Sequence, residues 1–325
     1  MGTGQVGLRK IQTFVESTAG TAGTCTAILA GTLDMQNEQK IYRPDDLATG
    51  RLSHYERSHI TGEIARLVYS APASFEQLQY VFSTAIKTAV ITGAGPYTWT
   101  FTPSMVAANT AKTYTIEYGD DVVVWRSSYC FATDWELSGA IDDVVRVKSN
   151  LVGQNTRIQS FTGSLSAPTL LNSIVAQTGI LYVDSVGAFP ATTQKAATLI
   201  DFNVKQVGGF KPVKFADGTL YFGDKVEAKR HLEIELTLAV NSNTSSDWWT
   251  PYIASPAQTV KKYRLTFSGP SSAYLHIDFL GVIENISPIQ ISQDGMNVYK
   301  IKLQSIDNGT SHYQVILINS VASLV

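Results

Sequence analysis

The sequence predicts a mainly β protein that carries one fold twice. The strongest signal is the alternation of apolar and polar residues from 231 to 240, where Leu232, Ile234 and Leu236 alternate with Glu233 and Glu235. A period of two predicts a strand with one buried and one solvated face. Residues 60–69 carry a similar pattern, and an aromatic segment at helical spacing follows both passages. With 325 residues, the chain is long enough for two domains of ordinary size.

The composition is that of a globular chain without a strong electrostatic field. Charged residues make up 16% and hydrophobic residues 44% of the sequence, which excludes a disordered polyelectrolyte. The net charge of -2 excludes a general basic surface for tight, sequence-independent nucleic-acid binding. Low charge with ample apolar content suits a protein that hides surface in an assembly.

Cysteine usage and hydropathy indicate a protein made in the cytoplasm. Cys25 and Cys130 are the two cysteines, too few for the disulfide framework of a small secreted domain. The basic residues near the start are not followed by the apolar segment of a secretory signal. No apolar run reaches the length of about 18 residues that spans a bilayer, so we expect no membrane partner.

The two alternating passages align without a gap. His59 falls on His231, Glu63 on Glu235 and Val68 on Val240. After each passage along the chain, the sequence predicts a polar turn, a capping residue and a short helix that packs its aromatic side chains against a sheet. The residues concerned are Ser74, Phe75, Leu78, Val81 and Phe82 in the first copy, and Ser246 or Asp247, Trp248, Trp249 and Tyr252 in the second.

Further strand signals follow in the same order in both copies. The sequence predicts strands at 113–117, 129–137 and 145–148, matched by 262–266, 274–283 and 299–302. The largest insertion is residues 97–103 in the first copy, and one more strand is expected at 180–183. We therefore assign residues 1–160 to a first domain and 161–325 to a second, with 155–195 as a connector rich in Ser, Thr and Ala.

A long polar stretch precedes each alternating strand, at residues 36–58 and 208–229. Loops or hairpins of this length are uncommon unless they have a function. Both stretches mix aromatic and charged residues, which makes them candidate contact segments. The candidates are Tyr42, Arg43, Asp45, Asp46, Arg51 and Tyr55 in the first stretch, and Lys214, Phe215 and Asp217 in the second.

No combination of residues points to catalysis, a cofactor or a metal ion. The pattern Gly2-x-Gly4-x-x-Gly7 lacks the preceding strand that a dinucleotide-binding turn needs. The histidines lack the spacing of a metal site, and the adjacent acidic pairs at 45–46, 120–121 and 142–143 suit turns better than acid–base catalysis. The sequence therefore predicts that the protein is not an enzyme and carries no cofactor.

Several stretches resemble the tail tube proteins, or major tail proteins, of siphovirus-type bacteriophages. The run Gly-Gly-Phe-Lys-Pro-Val-Lys-Phe-Ala-Asp-Gly-Thr-Leu at 208–220 and the run Lys-Tyr-Arg-Leu-Thr-Phe-Ser-Gly at 262–269 are similar to the second half of many such proteins. So are Ile-Leu-Tyr-Val-Asp-Ser-Val at 180–186 and Tyr-Thr-Ile-Glu-Tyr-Gly-Asp at 114–120. The resemblance covers nearly the whole chain.

The resemblance implies tandem β-sandwich domains, each with one short helix and a long extended loop, whose sheets join side by side into a ring around a β-barrel. Rings then stack into a hollow tail tube through which double-stranded DNA passes without specific binding. The candidate loop residues would contact the neighbouring ring. Glu233 and Glu235 are candidates to line the lumen, where acidic groups would repel the DNA phosphates.

The same resemblance implies partners and a location. Two folds per chain would form a trimeric ring with pseudo-sixfold symmetry, and one fold per chain a hexamer. The partners would be further copies and other tail proteins, and the location the tail of the virion.

Other functions stay open. A two-domain β-sandwich binding module, such as an adhesin or carbohydrate binder, would be a monomer with an exposed aromatic platform. An enzyme on a β scaffold would need a polar cluster that the sequence does not display. Within the assembling class, a distal tail or tail-terminator ring on the same fold is a further alternative.

Overall fold

The computed structural model describes residues 5–43, 58–168, 171–240, 259–291, 297–309 and 312–324, together with Trp248, Tyr252 and Gly295. Strands make up 55% of the structure and helical residues 7%, and the sheets are antiparallel. The predicted mainly β class is confirmed.

One α-helix and two 3-10 turns are used below: α1 (Leu78–Ala85), η1 (Val6–Leu8) and η2 (Ala176–Thr178). The strands are, in chain order, β1 (Lys10–Val15), β2 (Ala27–Leu29), β3 (Thr32–Tyr42), β4 (His59–Pro72), β5 (Val90–Thr92), β6 (Tyr97–Phe101), β7 (Tyr114–Gly119), β8 (Val124–Ala140), β9 (Arg146–Gly153), β10 (Arg157–Gln159), β11 (Gly179–Ser185), β12 (Gln194–Lys195), β13 (Leu199–Val207), β14 (Phe210–Val213), β15 (Asp224–Glu227), β16 (His231–Ala239), β17 (Lys261–Ser268), β18 (Tyr274–Ile291), β19 (Asn297–Ser305) and β20 (Tyr313–Asn319).

The strongest alternation of the sequence forms β16. Leu232, Ile234 and Leu236 are buried on one face of this strand, and Glu235 is exposed on the other. The other predicted strands overlap β4, β7, β8, β9, β11, β17, β18 and β19, and the insertion at 97–103 contains β6. The sequence pattern therefore predicts the strands that have a buried face.

Helix α1 confirms the aromatic helix of the first half, but it begins later than the spacing predicts. All eight of its residues are buried, and Phe82 packs edge-on against two aromatic rings of the core. Ser74, placed opposite the predicted cap Ser246, does not cap the helix. Ser74 instead forms an isolated antiparallel bridge with Ser173, which keeps the chain out of the helix until after Gln77.

In the second half, Trp248 is buried and stacks on Tyr263 with ring centroids 5.7 Å apart. This confirms that Trp248 belongs to the core, as an aromatic residue packed against a strand. Tyr252 is 39% exposed, and Trp249 lies outside the described residues.

The same order of paired strands occurs twice along the chain. In the first half the order is β2-β1-β7-β8-β9-β4-β3. In the second half it is β12-β11-β17-β18-β19-β16-β13. A further strand lies beside the start of each long strand, β10 beside β8 and β20 beside β18. Each strand of the first series therefore has a counterpart with equivalent neighbours in the second.

A shared irregularity aligns the two series residue by residue. The register of β8 against β9 shifts between Ala132 and Asp134, and that of β18 against β19 shifts between Ile283 and Asn285. A bulge interrupts a ladder at one defined place. The two bulges therefore make Ala132 the counterpart of Ile283 and align the flanking strands.

This alignment corrects the ungapped match of the two alternating passages. The pairings with β9 and β19 make Leu67, and not Gly62, the counterpart of Ile234. Because strand side chains alternate, a shift by an odd number of residues exchanges the two faces. Glu63 is accordingly 3% exposed, whereas Glu235, its match in the ungapped alignment, is exposed.

Strands β8 and β13 join the two series into one sheet. Residues 201–206 of β13 pair with residues 140–135 of β8. The result is a continuous order of eight strands, β3-β4-β9-β8-β13-β16-β19-β18, which we call the eight-stranded sheet. A second link pairs β20 with β6. The main apolar cluster contains residues of both halves, among them Trp135 and Phe202, and the division at residue 160 stays a prediction.

Gln206 closes this junction with a buried hydrogen-bond network. Its Oε1 accepts hydrogen bonds from Trp135 Nε1 at 3.0 Å and from the Tyr313 hydroxyl at 2.9 Å. Its Nε2 donates to the carbonyl oxygens of Ala85 at 3.2 Å and Gly208 at 3.1 Å. These contacts use the full hydrogen-bonding capacity of an amide side chain, and they connect α1, β8, β13 and β20.

We expect Gln206→Ala to lower the free energy of unfolding by about 3 kcal/mol, because it leaves several buried polar groups without partners. Urea denaturation followed by tryptophan fluorescence measures the change. Gln39→Ala, at an exposed glutamine of β3, is the matched control and should change stability by less than about 0.5 kcal/mol. Equal effects of the two substitutions would refute the role of the network.

Candidate assembly surfaces

The eight-stranded sheet ends in two open edges within the described part of the chain. Strand β3 pairs with β4 on one side and has no partner strand on the other. At the opposite end, residues 282–291 of β18 pair with β19 and with no other described strand. A row of unpaired main-chain N–H and C=O groups is a template for another strand. Both edges can therefore take a strand from a second chain.

Glu233 and Glu235, the predicted lumen residues, lie on the solvated face of β16, as the alternation predicts. Lys302 Nζ lies 3.8 Å from Glu233 Oε2, and Lys302 pairs in register with Glu235. The carboxylates of Glu233 and Glu284 raise the pKa of Lys302. The two glutamates are therefore balanced by a neighbouring lysine and do not form an isolated acidic strip.

The whole solvated face of the eight-stranded sheet carries acidic and basic residues in near balance. Such a face offers a passing polyanion no strong net attraction. The charged residues at its positions are Asp34, Glu38, Asp134, Glu136, Asp201, Glu233, Glu235 and Glu284, and Lys40, Arg66, Arg146, Lys148, Lys205, Lys300 and Lys302.

The first predicted loop begins as a strand. Residues 36–42 belong to β3 and pair with β4, which corrects the expectation that the loop starts at residue 36. Tyr42 is 57% exposed at the end of this strand, and Arg43 is exposed beside it. The remaining candidates of this loop lie outside the described residues: Asp45, Asp46, Arg51 and Tyr55.

The second predicted loop is the hairpin of β14 and β15. Lys214 Nζ donates to the main-chain oxygen of Glu63 at 3.3 Å. Asp217 accepts hydrogen bonds from Thr219 N at 3.0 Å and Thr219 Oγ1 at 2.8 Å, and these bonds lower the pKa of Asp217. Phe215 is 55% exposed. Lys214 and Asp217 therefore hold the hairpin in place, while Phe215 presents apolar surface.

The base of this hairpin is buried against the first half of the chain. Phe210 and Phe222 form an apolar cluster with Phe131 of β8. Lys225 Nζ donates to the carbonyl oxygen of Ala111 at 2.8 Å, and burial lowers the pKa of Lys225 to about 8. The hairpin is thus a contact between the two halves before any assembly takes place.

Glu227 and Arg230 tie the hairpin to the end of helix α1. Arg230 Nη1 donates a hydrogen bond to the carbonyl oxygen of Ile86, the residue that follows α1, at 2.8 Å. A cation at this end of a helix interacts favourably with the last carbonyl groups. Glu227 accepts hydrogen bonds from Arg230 and from both N and Nδ2 of Asn109, the latter two at 2.8 Å. Sequence reasoning missed both residues, because their partners other than each other, Asn109 and Ile86, are more than a hundred residues away along the chain.

Glu63 connects the edge of the sheet to the hairpin. Its carboxylate accepts hydrogen bonds from Arg157 at 2.6 and 2.9 Å and from Asn37 Nδ2 at 2.7 Å. Its main-chain N–H donates to the Leu220 carbonyl oxygen at 2.7 Å. The hydrogen bonds from Arg157 are the main reason that the pKa of Glu63 lies below its usual value. One buried carboxylate therefore links β3, β4, β10 and the hairpin.

Within the described ranges, no group of three or more His, Cys, Asp or Glu residues is arranged to hold a metal ion. Cys25 and Cys130 are buried, and burial raises the pKa of Cys25 to about 12, which disfavours a thiolate. Asp120 accepts hydrogen bonds from the N–H groups of Val122 and Val123, the turn role predicted for it. No helix in the described part of the chain is long and apolar enough to cross a membrane.

No model of a protein family matches the chain, and no curated protein matches its sequence. Function is therefore inferred from the strand pairings and surfaces of the chain itself.

We expect Arg157→Ala to destabilise the protein by about 1–2 kcal/mol at pH 7, because it leaves the buried Glu63 carboxylate with a single side-chain donor. The pKa of Glu63 is lowered in the folded state. Its stabilising contribution is therefore complete above the unfolded pKa, about 4.3, and is lost as pH falls through the lower folded value. The difference between wild type and variant should shrink below about pH 4.

Urea denaturation at neutral and acidic pH measures this difference. Arg66→Ala is the control, since Arg66 pairs with Glu38 at 2.7 Å with both side chains about half exposed, and such pairs contribute about 0–1 kcal/mol. An Arg157 effect no larger than that of Arg66, or one independent of pH, would contradict the buried ion pair.

Proposed function

We propose that this protein is the tube subunit of a siphovirus-type phage tail. It is a structural virion protein, made in the host cytoplasm, that self-assembles into stacked rings around a channel for double-stranded DNA. The observation that carries the proposal is an eight-stranded sheet with two open edges, built from two series of strands in the same pairing order. The function needs no enzymatic activity and no cofactor.

The repeated pairing order supports two tandem tail-tube-like domains, residues 1–160 and 161–325. The β8–β13 pairing is then a contact between two copies of one fold within a single chain. Three chains joined by the same contact would close the sheet into a barrel with pseudo-sixfold symmetry. Closure would leave no sheet edge unpaired, and cyclic symmetry is the usual way that identical subunits achieve this.

The solvated face of the eight-stranded sheet lines the lumen in this proposal. Glu233 and Glu235 then belong to a mixed polar surface in which basic residues nearly balance acidic ones. A balanced surface neither binds the DNA phosphates tightly nor presents a large barrier to them. DNA passes such a wall without specific binding.

The loops supply contacts between rings and with other tail proteins. Tyr42 at the end of β3 and Phe215 at the hairpin are each more than half exposed. Exposed large apolar side chains mark interaction surfaces when they cluster. The monomeric carbohydrate-binding alternative has less support, because three of the four described tryptophans, Trp99, Trp135 and Trp248, are buried. Trp125 alone among the four is exposed, at 39%, and one ring is not a platform of several.

Electron microscopy of the purified protein tests the proposal. We expect stacked rings with a central hole, and threefold or pseudo-sixfold rotational averages, because each chain supplies eight strands to one barrel. Single rings that never stack would favour a tail-terminator or distal ring. A discrete monomer at high concentration would refute self-assembly.

The position of the lumen can be tested with single cysteines. Glu235→Cys should react with a small maleimide in assembled tubes but slowly with a bulky polyethylene glycol maleimide, because the lumen excludes large reagents. Val90→Cys on β5, whose native side chain is 61% exposed, is the control and should react with both. The native cysteines are buried and give little background. Equal rates for the two variants with the bulky reagent would place Glu235 on the outside.

A further inference from the structure

The internal junction includes more than the pairing of two strands. The turn that connects β8 to β9 lies against the second half of the chain, beside η2. The N–H of Ile141 donates to the carbonyl oxygen of Ile200 at 2.9 Å, and the N–H of Ala176 donates to that of Asp143 at 3.0 Å. The edge of β8 and the end of its hairpin therefore form one continuous contact with the segment from η2 to β13.

The counterpart segment of the first half borders an open groove. η1 precedes β1 in the first half as η2 precedes β11 in the second. The alignment of β3 with β13 makes Gly31 the counterpart of Ile200. A groove of about 1140 Å³ runs along this segment. Val6 in η1 is 72% exposed, whereas Ala176 in η2 is 8% exposed under the hairpin end. Residues lining the groove include Val6, Ile11, Leu29, Gly31, Leu33 and Trp125.

We propose that this groove and the adjoining edge of β3 receive the end of the β18–β19 hairpin of a second copy of the chain. The proposal rests on the proposed function and names the surface through which copies join. Strand β18 is the counterpart of β8, and its edge beyond residue 281 has no partner strand among the described residues. The contact between chains thus repeats the contact seen within the chain.

The internal junction also gives the register of this contact. Glu136 of β8 pairs with Lys205 of β13. In the alignment of the two series, Ser287 is the counterpart of Glu136 and Gln36 is the counterpart of Lys205. Ser287 of one chain therefore lies opposite Gln36 of the next.

The two open edges match in side-chain character. At the internal junction, Leu137 and Val204 are fully buried on the core side. The core side carries Leu33 and Met35 on β3 and Ile286 on β18. Pairing the edges would continue the apolar layer from one chain to the next. Leu33 and Ile286 are already buried within the chain, so the new main-chain hydrogen bonds are supplemented by burial of the exposed part of Met35.

A disulfide between chains tests the register. Directly opposite residues of antiparallel strands have Cα atoms about 4.5–5.5 Å apart, within the range of a disulfide. The variant Ser287→Cys/Gln36→Cys should form covalent dimers and closed rings when it is oxidised mildly after assembly. The control Ser287→Cys/Glu38→Cys moves one thiol two residues along β3 and should give less than about a tenth of that yield.

A substitution in the groove tests its occupation independently. Val6→Arg changes an exposed residue and should leave the melting temperature of the unassembled protein unchanged. It should raise the concentration needed for assembly at least tenfold, because the arginine would occupy the groove. Val90→Arg, also at an exposed valine, is the matched control and should assemble like the wild type.

Each result decides between separate claims. Rings that form while the in-register pair crosslinks no better than its control would overturn the register and leave the tube proposal standing. Val6→Arg rings at the wild-type concentration would overturn the occupied groove. Wild-type protein that forms no ring by electron microscopy would overturn the proposed function itself.

Discussion

The pairing of β8 with β13 is the contact on which the rest of the structure depends. It converts two series of strands into one sheet, and its ladder ends at the fully bonded side chain of Gln206. Polar networks of this kind stabilise a fold only when every member has its partners. The hairpin of β14 and β15 adds a second layer of contact through Glu227 and Arg230. The two halves consequently meet through specific polar contacts as well as through apolar burial.

The strands with one buried and one solvated face could be predicted from the sequence, and the edge strand β3 could not. β16 alternates because one face packs on the core and the other meets water. β3 is exposed on both faces over most of its length, so its residues are polar without a period, and the sequence suggests a loop. The ungapped match of the two halves failed for a related reason. Residues 64–69 are apolar at both odd and even positions, so a shift by an odd number of residues still gives matches, and only the bulges of β8 and β18 define the true register.

The candidate surfaces were predictable only in part, because their chemistry depends on partners distant in sequence. The solvated position of Glu233 follows from alternation, but its partner Lys302 comes from another strand. The sequence pattern predicts that Glu63 is a solvated strand residue. In the structure, Arg157 donates two hydrogen bonds to its carboxylate, which offset the free-energy cost of burying it. Lys214 is a predicted contact residue, and its ammonium donates hydrogen bonds to the carbonyl oxygens of Glu63 and Leu220 that stabilise the hairpin within the chain.

If β3 and β18 pair between chains as proposed, their open edges must also avoid pairing with unrelated strands. Charged side chains on an edge strand disfavour pairing with unrelated strands, and β3 carries Asp34, Glu38 and Lys40. β18 meets β19 with two shifts of register, one before Asn285 and one after Ser287, and such bulges restrict which strand can pair in which register. A groove beside β3 adds a shape requirement to the hydrogen-bond ladder. In the proposed assembly, correct pairing would depend on edge, register and groove together, and a strand that satisfies the hydrogen-bond ladder alone would gain only part of the binding free energy.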